Sequence, residues 1–148
     1  MKALTLVFAA AAIAFGVYLF WPSATNETLP AGAPAVQSEA VADEAQDLVG
    51  RWQSDEDASF IREFRADGTV EDIYTQPDGP VSSSGDWEVF TAGTPPDGTA
   101  IPLEQGAVYL RIAMDGEQYY FRIAALSDDA LQLIYLDRGG ALNFSRPP

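Results

Sequence analysis

From Leu48 onward the chain repeats one pattern, a short apolar-alternating run ended by a turn dipeptide. The dipeptides are Asp67-Gly68, Asp78-Gly79, Asp97-Gly98, Asp115-Gly116, Ser127-Asp128 and Gly139-Gly140. A period of two sends alternate side chains to opposite faces of a strand, and glycine supplies the left-handed backbone that tight hairpins need. The pattern predicts strands near 50–53, 59–65, 69–75, 84–91, 107–114, 117–126, 130–136 and 141–146. Ala92 to Gln105, with three prolines and two glycines, reads as one long loop. No segment after Gln46 has a helical period. Eight short strands joined in order predict an all-β, antiparallel, up-and-down barrel or half-barrel.

Two hairpins fix which face is inside. Val108, Leu110, Ile112 and Met114 alternate across the Asp115-Gly116 turn from Tyr119, Phe121, Ile123 and Ala125, and all are expected to face the core. Leu131, Leu133, Tyr135, Leu142 and Phe144 continue that face. If Ala66-Asp67-Gly68 is a three-residue loop with Gly68 left-handed, Phe64 faces Val70, Arg62 faces Asp72 and Phe60 faces Tyr74. The reverse face then sets Glu63 opposite Glu71, a like-charge pair tolerable only in water. The Phe60 face is therefore the inner one.

Gly50-Arg51-Trp52, Phe64-x-x-Asp67-Gly68-Thr69, Gly85-x-Trp87 and a closing Phe144-x-Arg146 occur in that order. This series resembles the small bacterial lipocalin-like domains, over roughly Leu48 to Arg146. The resemblance implies a barrel whose last-strand arginine packs across the first-strand tryptophan. Trp52 and Arg146 are the positions it assigns to that barrel-closing pair, with Arg146 over the ring in a cation–π contact. It also implies a small apolar or amphipathic ligand.

Composition narrows the chemistry. Twenty-two acidic residues against eight basic give a net charge of −14. Nucleic acid needs clustered Lys and Arg, so it is excluded as a partner. With no Cys there is no disulfide, thiolate nucleophile or lipidated cysteine, and with no His there is no Ser-His-Asp machinery or imidazole ligand. Lys2 is the only lysine, which removes Schiff-base chemistry. Carboxylate chemistry, hard-metal binding through oxygen, or no chemistry at all remains, and no enzyme activity, cofactor or metal is expected. Asp55-Glu56-Asp57 lacks the spaced, glycine-containing pattern of a calcium loop and reads as a solvated turn. Asp86 and Glu88 share a strand face at a spacing open to any acidic protein.

Ahead of the domain, Ala3 to Trp21 has Thr5 as its only polar side chain. As a helix it spans roughly 28 Å, close to the hydrocarbon thickness of a bilayer. Lys2 precedes it, Tyr18 and Trp21 end it, and acidic residues follow, so residues 1–22 are expected to be a single-pass inner-membrane anchor with the remainder exported to the periplasm. A cleaved signal peptide is the rival, and it leads to the same compartment. Bulky Tyr18-Leu19-Phe20-Trp21, with Pro22 and Pro34 beside the small-residue sites, favours the anchor. Residues 23–46, rich in Ala, Pro and acid, are expected to be a disordered linker, with at most a frayed helical turn over 38–47. The β domain is then 47–148.

The expected function is a membrane-anchored, monomeric binding module for a small apolar or amphipathic ligand. Its candidate residues are Arg62, Asp72, Tyr74, Trp87, Tyr119 and Tyr135, a polar pair with aromatic lining. The alternative is an interaction or inhibitor module whose acidic surface docks a basic envelope protein.

Overall fold

The computed structural model describes residues 33–148, and side chains from residue 39 onward. The anchor at 1–22 and the first part of the linker lie outside the described residues. Among the described residues, no helix is long and apolar enough to cross a membrane.

One helix, α1 (Ala33–Leu48), precedes eight strands. These are β1 (Gly50–Ser54), β2 (Phe60–Phe64), β3 (Thr69–Gln76), β4 (Gly79–Thr91), β5 (Val108–Met114), β6 (Glu117–Leu126), β7 (Ala130–Tyr135) and β8 (Ala141–Ser145). Each strand pairs antiparallel with the next, and β8 returns to β1, so the sheet closes into a barrel and leaves no half-barrel edge. The Arg62 hairpin has the expected register: Phe60 opposite Tyr74, Arg62 opposite Asp72 and Phe64 opposite Val70. Gly68 sits at φ 85° and the Arg65 amide donates to the Thr69 carbonyl at 2.8 Å. Outside, the Glu63–Glu71 repulsion is relieved by Arg65, which bridges to both carboxylates.

Three expectations are corrected. The second half of the supposed linker is α1. From Ser38 its sequence is free of Gly and Pro, alanine favours the helix, and Val41, Glu44, Ala45 and Leu48 fall at i, i+3, i+4 and i+7 on one face. Leu48 is fully buried in the barrel core, and that burial holds the last turn. Second, β4 begins at Gly79 rather than near 84, because the serines at 82–84 pair with β3 despite their polarity. Third, Ala125 does not face the core. A bulge between Ile123 and Ala125 switches parity, so Leu126 instead pairs with inward-facing Leu131.

The two barrel ends differ. At one end lie α1, the β2–β3 turn and the long loop. Here Trp52, Phe64, Val70, Leu110, Leu131 and Leu133 pack with Leu48 into a solid core. The long loop folds back over the outer face, where Ile101 and Leu103 cover Phe90, Tyr109 and Tyr120 in a second cluster. At the other end lie the β1–β2, β3–β4, β5–β6 and β7–β8 turns, and the lumen there is open.

Candidate functional site

The closed end is locked by the residues of the first and last strands. The Trp52 indole Nε1 donates to the Leu48 carbonyl at 2.8 Å. Arg146 lies 3.9 Å over the Trp52 ring, and its guanidinium donates to the carbonyls of Val49 and Asp47 at 2.9 and 2.8 Å. A cation thus meets the Asp47 carbonyl in the last turn of α1 and the Val49 carbonyl just beyond it, where the helix dipole is negative. Gly50, at φ 125°, lies so close that any Cβ would collide with Arg146 Nη1. The Gly-x-Trp and Phe-x-Arg signals therefore share one cause: they are two halves of a single plug.

The open end forms a cup of about 350 Å³. Arg62 and Asp72 stand at its floor, joined by a two-point ion pair, Nε to Oδ1 at 2.7 Å and Nη2 to Oδ2 at 2.6 Å. The Arg62 side chain is 9% exposed. Its third nitrogen, Nη1, is buried without a hydrogen-bond partner. The Phe60, Phe121 and Phe144 rings lie 5.4, 5.8 and 5.9 Å from the guanidinium carbon. Burying an arginine this way is tolerable because Asp72 cancels its charge and the ring faces accept the remaining positive edge. Ile112, Met114, Phe121 and Leu142 make the apolar wall, with Tyr119, Tyr135 and Arg138 completing the lining.

Of the six ligand-binding candidates, four line this cup: Arg62, Asp72, Tyr119 and Tyr135. Trp87 does not. It is 8% exposed, packs edge-on against Phe64 at 5.3 Å and donates Nε1 to the Arg65 carbonyl at 3.0 Å, so it is part of the packed half. Tyr74 stands at the rim, stacked on Phe60 at 4.6 Å and 43% exposed. Burial raises the Tyr74 phenol pKa, with Asp72 adding to the effect, and burial followed by Asp137 raises that of Tyr135. Both phenols stay neutral donors near pH 7.

Sequence reasoning placed Ile112, Met114, Phe121 and Leu142 on the inner face without naming them as ligand-binding residues, and missed Arg138 altogether. Arg138 sits in the β7–β8 turn, where strand parity carries no information. The three large apolar side chains left exposed among the described residues are Tyr74, Val81 and Leu142. By register all three belong to inward-facing rows at the open end. The exposed apolar surface is therefore the rim of the cup.

The remaining candidates are occupied otherwise. Asp55, Glu56 and Asp57 accept from Ser145, Asn143 and Ser59, tying the β1–β2 turn to β8 and to itself. Glu88 pairs with Arg111 at 2.6 Å on the outer surface.

No family model matches the chain, and no curated protein matches it. Among solved structures, a lipocalin-like protein from Bacteroides uniformis ATCC 8492 aligns at 17% identity with a TM-score of 0.48. The alignment covers 68% of this chain and 99% of that one. The architecture rests on the strand pairing of this chain itself, which is the closed antiparallel barrel that the lipocalin resemblance implied.

Proposed function

We propose that this chain is a binding module that holds one small apolar or amphipathic ligand in the open end of its barrel. The observation that carries the reading is the half-filled lumen. One half is packed solid by its own side chains, while the other keeps about 350 Å³ between an apolar wall and a buried ion pair. That volume lies near the lower end of the ~300–1,000 Å³ typical of small-molecule sites. An apolar rim of Tyr74, Val81 and Leu142 gives a ligand a path from water that is already partly dehydrated.

The proposal includes the location. Residues 3–21 hold the module to the membrane as a single-pass anchor, and the acidic domain works on the outer side as a monomer without catalytic chemistry. Sequencing the mature N-terminus tests the anchor: a start at Met1 or Lys2 retains it, and a start between 24 and 36 removes it. Native mass spectrometry of the membrane-extracted protein tests the binding. The expected result is a co-purifying small molecule lost on mild activation, and a clean apo mass in every extraction condition contradicts the reading.

A further inference from the structure

We infer that the ligand is a single-chain amphiphile with an anionic oxygen head, seated head-outward on Arg138. The inference deepens the binding-module reading and rests on it. Three charged residues line the cup: Arg62, Asp72 and Arg138. Asp72 neutralises Arg62, which leaves the lining with an excess of one positive charge on a chain of net −14. Arg138 is that excess. Among the described residues Arg51, Arg62, Arg65, Arg111 and Arg122 each meet a carboxylate. Arg146 is held by the carbonyls of Asp47, Val49 and Asp128. Among the described residues Arg138 alone has neither kind of partner, and it borders the cavity. Its neighbour Asp137 is not in the lining, but its carboxylate accepts from the lining Tyr135 hydroxyl at 3.4 Å and so stands beside the same mouth.

The floor is a poor place for an anion. Asp72 already accepts from Arg62 Nε and Nη2, and Nη1 is shut off from solvent among aromatic rings. A carboxylate there would be buried beside a second carboxylate with no cation to itself. At Arg138 the same head keeps most of its water and meets an unclaimed guanidinium. The tail then lies along Ile112, Met114, Phe121 and Leu142. At roughly 30 Å³ per water-sized group, the cup takes about a dozen heavy atoms, which suits a chain of about ten carbons.

The test is isothermal titration calorimetry on the full chain held in an amphipol, with decanoate, decyl phosphate, 1-decanol and decyltrimethylammonium. Decanoate or decyl phosphate should bind tightest, and the order of those two says which oxygen head is preferred. Arg138→Gln should weaken the anions about three- to fivefold and Arg138→Glu about tenfold or more, with Arg138→Lys close to wild type and decanol unchanged throughout. Lengthening the carboxylate from six carbons should tighten binding by up to about fourfold per methylene and then stop near ten. Decanol or the ammonium binding as tightly as decanoate, an unchanged decanoate affinity in Arg138→Gln, or affinity still rising to hexadecanoate overturns this inference while the binding-module reading stands. If none of the four binds, this inference falls, and a clean apo mass in native mass spectrometry is what would take the binding-module reading with it.

Discussion

Arg62 is the residue on which the two halves of the barrel turn. It is buried, it points inward from β2, and a single carboxylate makes it tolerable there. Removing that carboxylate leaves a buried charge uncompensated, so Asp72→Ala should cost about 3 kcal/mol in urea denaturation. Replacing both partners by leucine should recover most of the loss, because an apolar pair of similar volume needs no compensation. If the double variant is as unstable as the single, the ion pair has a role beyond mutual neutralisation. Glu44 makes a second residue-level case. Burial, and after it Asp47, raises its pKa above the ordinary 4.5, and one carboxylate oxygen is buried without a partner. Between the unfolded and folded pKa values the folded chain binds more protons than the unfolded, so this group makes stability fall as pH rises through that window. Glu44→Gln should therefore raise Tm at pH 7, by about 1–2 °C for so partly exposed a group. The gain should vanish below 4.5, where the carboxyl is protonated in both states.

At the scale of elements, hairpins were more legible than their surroundings. The Asp67-Gly68 turn and the charges at 62, 63, 71 and 72 were enough for the register of β2 against β3, because a slip of one residue would bury Glu63 beside Glu71. The β6 bulge was not legible, since Ala124-Ala125 tolerates either face and has no side chain large enough to declare one. The helix was missed for a tertiary reason. Its composition is that of a tether, and only its docking, through Ala45 and Leu48 against the barrel, distinguishes the two. Leu48→Ala should accordingly cost about 2–4 kcal/mol, while Gln46→Ala on the exposed side should change little, both read from urea midpoints. Equal, small effects would mean that α1 is an ornament on the barrel rather than its plug. The site was half legible. Strand parity pointed to the inward-facing tyrosines and the ion pair, but depth along the barrel axis decides which inward residues meet solvent. Trp87 and Tyr135 share a parity and differ only in depth, so one is core and the other lining.

Over the whole molecule, closure and filling are separate problems with separate solutions. Pairing β8 with β1 removes the sheet edges on which barrels aggregate. The plug of Trp52, Arg146 and the α1 terminus then seals one end, so the core does not need side chains at the other. Under the proposed function, stability and binding fall at opposite ends of a single barrel. We propose that small-molecule binding occurs in the open half of the barrel and nowhere else. Methyl-detected NMR of the full chain in an amphipol, titrated with decanoate, tests it most directly. Saturable shifts should appear at Ile112, Met114 and Leu142, with Leu48, Leu110 and Leu133 unmoved at the packed end. Shifts centred on the packed residues, or none at any methyl up to millimolar ligand, would contradict it.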